Sequence, residues 1–284
     1  MLIHFQDLLS IAHKKKIGLP AFNTANYEMT LGIVRGAKKA KQPIIIQLTE
    51  KSIAYLGLKT AWHIIEDVVT SEAKDIPMSV HLDHGHNFDL IKDCIAIGFT
   101  SVHIDASVDD FSTNIRKTKK VVDYAHRKNV FVQAELGQML GREGLVKYHA
   151  QFEQIKNFLT DPKLAKEFVT KTGVDTLAIS VGTFHGSFPG KEKIYFDILD
   201  QIHQQVKIPL VLHGASGLPD QELRKAIKHG ISIVNIDTSL RLAFTAAAKR
   251  ELQKKNNYID PRDWLGASVN EVSKTVARKL KYFK

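Results

Sequence analysis

The chain of 284 residues contains a single cysteine, Cys94. No disulfide can form within it, and a reducing cytoplasm is the expected compartment. Cys94 lies in the apolar stretch DCIAIGF and reads as a small buried hydrophobe rather than a nucleophile. Long hydrophobic runs are also missing. None approaches the roughly 18 residues of a membrane span, so no membrane partner is expected. The opening residues, MLIHFQDLLSIAHKKK, lack the positive region and apolar core of a secretory leader. There is no Walker A motif, and no GxGxxG follows a strand-like run, so nothing supports nucleotide binding. Linkers and low-complexity segments are absent as well.

Negative charge is in deficit: 40 Lys and Arg face 30 Asp and Glu, a formal net charge of +10. The lysines are scattered, as at Lys14–Lys16, Lys38–Lys41, Lys117–Lys120 and Lys254–Lys255. None is interleaved with aromatics as in a single-strand binder, so no nucleic-acid partner is expected. Solvated helix faces account for most of this charge, with a mild bias toward anionic substrates.

What is present is a repeat of short apolar run and helical stretch. The runs are LPAFNT (19–24), PIIIQLT (43–49), PMSVHLDH (77–84), SVHIDAS (101–107), VFVQAEL (130–136), TLAISVG (176–182), PLVLHGAS (209–216) and SIVNIDTS (232–239). They are nearly continuous and rich in Val and Ile, as parallel strands covered on both faces are. Segments between them, such as YEMTLGIVRGAKKA and DILDQIHQQV, show a 3.6-residue period. Pro43, Pro77 and Pro209 stand at strand starts, where a missing N–H does least harm. Eight such units predict an α/β fold of the (β/α)8 TIM barrel type over residues 1–284 as one domain; an open doubly wound sheet is the alternative. About forty residues between the fifth and sixth runs read as an inserted lid or active-site loop. From Leu240 onward a C-terminal helical extension (about 240–284), broken at NNYIDPRDW, exceeds what one barrel helix needs. It is expected to pack on the barrel or on another subunit.

Polar residues fall at the ends of these runs: Asn23, Asp83 and His84, Asp105, Glu135, His185, His213, Asn235 and Asp237. Parallel strands bring their C-terminal ends to one mouth, where barrel active sites lie. Three of these residues are histidines, His84, His185 and His213, and three protein ligands with an open fourth position is the pattern of a catalytic zinc. His86 and His103 lie nearby without an evident role. The remaining histidines considered, including His4, His13, His63, His126, His149, His203 and His229, read mostly as solvated helix residues. HGASG and NIDTS follow the seventh and eighth runs, where barrels commonly bind phosphate on backbone N–H groups.

At these motifs the sequence resembles the class II, zinc-dependent fructose-bisphosphate aldolases. The resemblance spans nearly the whole chain through PAFNTANYEM, HLDHG, SVHIDAS, AELGQ, VGTFHG, PLVLHGASG, NIDTSLRLAF and DPRDWL. It implies a Zn²⁺ held by His84, His185 and His213. Asp83 would exchange the proton of the C4 hydroxyl, and Asp105 and Glu135 match accessory-metal or ligand-orienting carboxylates. Glu143, in Gly141-Arg142-Glu143-Gly144, would take the carbon-bound proton of dihydroxyacetone phosphate. Many relatives carry a second acid where this chain has Gly144. Asn23, Gly186, Gly214, Ala215, Ser216, Asn235, Ile236, Asp237 and Thr238 would bind substrate. A monovalent cation, Na⁺ or K⁺, is also bound by such turns in the family. Arg262 would reach the second phosphate across a homodimer or homotetramer contact. The expected reaction is reversible cleavage of fructose 1,6-bisphosphate to dihydroxyacetone phosphate and glyceraldehyde 3-phosphate. No lysine ends a strand to form a Schiff base, in keeping with a metal-dependent route. Tagatose-bisphosphate aldolase is the nearest alternative; Asp237 and Arg241 favour fructose, because tagatose-type relatives tend to carry NVAT and a lysine there, whereas Ser239 departs from the acid common in fructose enzymes. A barrel hydrolase would show an HxH pair on the first strand, which is lacking. A non-catalytic phosphosugar-binding role would require a broken ligand set.

Overall fold

A computed structural model of the chain describes residues 1–138, 158–184, 193–254 and 260–284. Eight strands close into a barrel in the order β1 to β8, each parallel to its neighbours. They are β1 (Leu19–Asn23), β2 (Ile44–Thr49), β3 (Met78–Gly85), β4 (Ser101–Ile104), β5 (Phe131–Leu136), β6 (Thr176–Ile179), β7 (Leu210–Leu212) and β8 (Ile231–Ile236). Each coincides with one of the eight apolar runs. Nearly every strand residue is buried, because helices cover the outer face and side chains fill the inner one.

The covering helices are α2 (Tyr27–Ala40), α3 (Glu50–Leu56), α4 (Leu58–Glu72), α5 (Phe88–Ile97), α6 (Phe111–His126), α7 (Pro162–Thr172), α8 (Phe196–Gln205) and α9 (Asp220–Lys228). The chain thus alternates strand and helix, as the sequence pattern predicts. Caps explain several starts: Asn26, Asn87, Asp110 and Asp161 each accept backbone N–H groups of the first turn. The forty-residue stretch between β5 and β6 is not wholly an insert. Its second part is α7, an ordinary barrel helix started by Asp161 with Pro162 at its first position. The remainder of that stretch, 139–157, lies outside the described residues.

The helix α1 (Phe5–Lys15) closes the N-terminal end of the barrel. Phe5, Leu8 and Ala12 pack on the inward residues Leu19, Ala21, Ile45, Ala178, Val211 and Ile233. Apolar filling from α1 therefore occupies the lower end of the barrel. His4 is not merely solvated: it caps α1 and bonds the Asn129 carbonyl at 2.7 Å.

After β8 the chain forms α10 (Thr238–Leu252) and α11 (Pro261–Lys279). The C-terminal extension packs on the barrel through α2. Val272 and Val276 of α11 sit against Gly32 and Gly36, where added Cβ atoms would come within 2.8 and 2.6 Å of the valine side chains. Glycine there lets two helix backbones approach closely.

Candidate active site at the barrel mouth

Asn23, Asp83, His84, Glu135 and Asn235 stand on the upper ends of β1, β3, β5 and β8, and Asp105 and His213 directly follow β4 and β7. The closed sheet brings these seven residues into one cluster, in which Glu135 stands apart from the hydrogen bonds that join the other six. His84 Nε2 faces His213 Nδ1 at 3.0 Å. On its other side, His84 Nδ1 lies 2.7 Å from Asp105 Oδ2. Asp105 is held in turn by the backbone N–H and hydroxyl of Ser107, at 3.1 and 2.7 Å. Glu135 Oε2 is buried without a hydrogen-bond partner and sits 3.9 Å from both His84 Nδ1 and His103 Nε2.

Asp83 is fully enclosed. Its Oδ2 accepts from the amides of Asn23 at 2.7 Å and Gln47 at 3.2 Å, and its Oδ1 accepts from Asn235 at 3.2 Å. Gln47 also donates to Asn23 Oδ1 at 2.7 Å, so the three side chains brace one another. The amide nitrogens of Gln133 and Asn235 each lie 3.2 Å from His213 Nε2. Thr183 donates to the His213 carbonyl at 2.7 Å. Gly214 has φ +68°, and an added Cβ there would collide with the Phe184 backbone, so the segment ending β6 lies against the turn after β7.

The electrostatics follow from three carboxyls buried beside histidines. Burial works to raise the pKa of Asp83, but the charges of His84 and His213 outweigh it and hold Asp83 ionised. Asp105 is likewise lowered against its burial, by the hydrogen bond and charge of His84. Glu135 is raised well above the ordinary range by burial and by Asp105. His84 is raised despite its burial by Asp83, Asp105 and Glu135. His81, beneath this cluster, is pushed down to about 3 by burial.

This donor set suits a divalent cation. A tetrahedral zinc with Zn–N bonds of 2.0–2.1 Å spaces two ligand nitrogens by about 3.3 Å. The two facing imidazole nitrogens are already near that spacing. Asp83 and Asp105, both held ionised, supply negative charge that a cation would balance, and Glu135 Oε2 is a buried oxygen without a partner. Two groups with metal-ligand spacing occur among the described residues: Asp83, His84, His103 and His213, and His84, Asp105 and Glu135. Both oxygens of Asp83 already accept from amides.

The other expected positions are placed as follows. Gly214, Ala215 and Ser216 form the turn after β7, with Ala215 buried and Ser216 half-buried. Ile236 ends β8, and Asp237 and Thr238 lead into α10. Both oxygens of Asp237 accept from Arg241 Nε, at 2.6 and 2.8 Å. Arg262 points to solvent beside the N-terminus of α11, paired with Asp260 at 2.6 Å. His185, Gly186 and Glu143 lie outside the described residues. His86 sits at the rim, where its Nδ1 lies 2.8 Å from the Asp105 carbonyl. Reading strand ends alone misses Gln47 and Gln133, one layer deeper on β2 and β5. Their signal is visible in the sequence, since a glutamine inside IIIQLT or VFVQAEL has no place in an apolar strand. His81, at 2 % exposure and 2.9 Å from Ser101 Oγ, is missed for the same reason.

Known proteins share this architecture along its whole length. The family model described as fructose-bisphosphate aldolase class-II matches residues 3–284. A fructose-bisphosphate aldolase of Thermus caldophilus is 36% identical, with 100% of this chain and 98% of that protein covered. One from Geobacillus stearothermophilus is 36% identical over 99% of this chain and 96% of its own length. Among solved structures, the YdjI aldolase of Escherichia coli K12 superposes with a TM-score of 0.85 at 30% identity, covering 100% of this chain and 97% of that one. With histidines, carboxylates and amides gathered at the mouth of an eight-stranded barrel, and a family match from Ile3 to the last residue, this chain belongs to the class II fructose-bisphosphate aldolases, a family of aldehyde-lyases.

Proposed function

We propose that the chain catalyses the reversible, zinc-dependent cleavage of fructose 1,6-bisphosphate into dihydroxyacetone phosphate and glyceraldehyde 3-phosphate. The observation that carries this reading is the pair of facing nitrogens, His84 Nε2 and His213 Nδ1, beside the buried carboxylate of Asp83. His84, His213 and His185 would hold the ion; the chain runs on into His185 from Thr183 and Phe184, which lie against His213 and Gly214. When bound, the ion supplies Lewis-acid polarisation of a carbonyl oxygen. Asp105 orients His84 through Nδ1, leaving Nε2 as the ligand atom.

The protein's own groups handle the protons. Asp83, ionised and fixed by three amides, takes the proton of the C4 hydroxyl as the C3–C4 bond breaks, and returns it in the condensation direction. Glu143 exchanges the proton at the carbon of dihydroxyacetone phosphate. The turn Gly214–Ser216 and the N-terminal end of α10, near Asn235–Thr238, offer backbone N–H groups to a phosphate. These same turns are the place for a Na⁺ or K⁺ ion.

Fructose is favoured over its tagatose epimer. Both sugars share the dihydroxyacetone phosphate half, so discrimination falls to groups around C4 and beyond. One misdirected hydroxyl leaves a polar partner unpaired, at a cost of about 1–3 kcal/mol. Arg241, locked on Asp237, lines a cavity of about 310 Å³ with Lys51, Ser52 and Tyr55 at this side of the mouth. We further read the chain as one domain and as a cytoplasmic homodimer or homotetramer. Support for the oligomer comes from α10, where Leu242 and Leu252 are about half exposed.

Specificity constants for the two epimers, with and without chelator, test the reading. Cleavage of the fructose ester at roughly tenfold or greater preference is expected, lost on chelation and restored by Zn²⁺. In His213→Ala, zinc content should fall with the barrel intact. Activity that survives complete metal removal would refute the mechanism, and parity between epimers would refute the substrate preference.

A further inference from the structure

Asp83 and His84 are adjacent in sequence, yet both reach the barrel mouth. A regular strand would send consecutive side chains to opposite faces. The backbone resolves this with an irregularity. His84 has φ +47°, one of the few non-glycine residues in the left-handed region. The register between β3 and β4 shifts there: Leu82 pairs with Val102, but Gly85 pairs with Ile104. Three steps along β3 match two along β4, so β3 carries one extra residue, a bulge. A bulged residue loses its ladder partner, and a non-glycine residue at positive φ adds roughly 1–3 kcal/mol of strain. Something must accept the stranded N–H of His84 and hold the turn.

That acceptor is a side chain from the neighbouring strand. The His84 N–H donates to His103 Nδ1 at 3.2 Å. His103 is wholly buried, and its ring lies 4.9 Å from the His84 ring, centroid to centroid. The two strands are pressed together at this point, since a Cβ on Gly85 would come within 2.5 Å of the His103 carbonyl. Accepting at Nδ1 fixes the proton of the neutral ring on Nε2, which faces Glu135 Oε2 at 3.9 Å. No other role is evident for His103 in the chemistry above. Its Nδ1 is already engaged, which removes it from competition as a ligand.

We propose that His103 is a positioning residue: its Nδ1 replaces the missing ladder acceptor at the β3 bulge and so holds the left-handed His84 in the orientation that ligates the metal. The inference rests on the metal reading of His84 and His213. It concerns the backbone that presents the ligand rather than the ligand itself.

Two substitutions separate this role from simple filling of the core. In H103N the amide oxygen overlies the Nδ1 position and keeps the acceptor. In H103Q the polar end reaches the Nε2 position and the acceptor at Nδ1 is lost. Zinc affinity, measured by chelator competition on the full chain, should stay within about threefold of the parent in H103N and fall roughly ten- to hundredfold in H103Q, the range for supports behind metal ligands. Equal affinity in the two variants, or the reverse order, overturns the proposal; a purely structural role would lower the melting temperature of both without separating their zinc affinities. A parent protein that binds no zinc overturns the metal reading itself, and the proposal with it. Should H103Q fail to fold, the parent labelled with ¹⁵N-histidine gives the answer directly. An unprotonated Nδ1 on His103 and a His84 amide protected from exchange are expected, and a protonated Nδ1 refutes the assignment.

Discussion

Asp83, the proposed proton-transfer group, is a buried carboxylate. Amides from Asn23, Gln47 and Asn235 satisfy both its oxygens without neutralising it, while its charged neighbours keep it ionised against burial. Removing the group should affect chemistry more than metal binding. For Asp83→Ala we expect turnover to fall by about 10²–10⁴-fold, the usual worth of a positioned acid or base, with zinc content near that of the parent. Metal analysis beside steady-state kinetics checks this, and loss of zinc in step with activity would make Asp83 a ligand instead. At this scale, strand-end residues are legible in the sequence because a charged group inside a Val- and Ile-rich run has no structural excuse. His103 is not. The role proposed for it depends on a bulge nineteen residues earlier, and an HID triplet carries no sign of that.

The elements of the barrel follow local rules that can be read in advance: near-continuous apolar strands, capped helices, prolines ahead of strands. The docking of α11 on α2 does not. It depends on Gly32 and Gly36 meeting Val272 and Val276 from the far end of the chain. Gly36→Ala places a methyl within 2.6 Å of the Val276 side chain and 2.8 Å of the Ser273 carbonyl. Overpacking of this kind typically costs 1–3 kcal/mol. Gly266, in the first turns of α11, has no atom within 4 Å of an added Cβ. Gly266→Ala should therefore stabilise by roughly 0.5–1 kcal/mol through helix propensity alone. Urea unfolding of the two variants should shift in opposite directions. A neutral Gly36→Ala would mean that α11 is not seated on α2 in solution.

The barrel carries the apolar filling of α1 at its N-terminal end and the Asp83, His84 and His213 cluster at the other. Phe5 and Leu8 of α1 plug the N-terminal end beneath the site. No described helix is long and apolar enough to cross a membrane. The C-terminal helices differ in how well they are covered. Along α11 six residues are buried, whereas α10 buries only Thr238, Leu240 and Ala247 and leaves Leu242 and Leu252 open. If α10 builds the contact between subunits, light scattering should give a dimer or tetramer for the parent. Leu242→Glu combined with Leu252→Glu should shift it toward monomer. A parent that is monomeric and fully active would remove the oligomer from the proposal, together with the role of Arg262 across it.

The eight strands and their order along the chain were determined by local pattern, because burial on both faces dictates composition strand by strand. The resemblance to the aldolases rested on the same runs, and the family match bears it out. Tertiary structure alone decided two things. It turned Asp83 and His84 to one side through a left-handed residue. It placed Gln47 beside Asn23 and Asp83, and Gln133 beside His213. Each depends on contacts between strands whose geometry exists only once the barrel closes. A one-dimensional pattern records which face a residue prefers, but not which neighbour across the barrel will accept its proton.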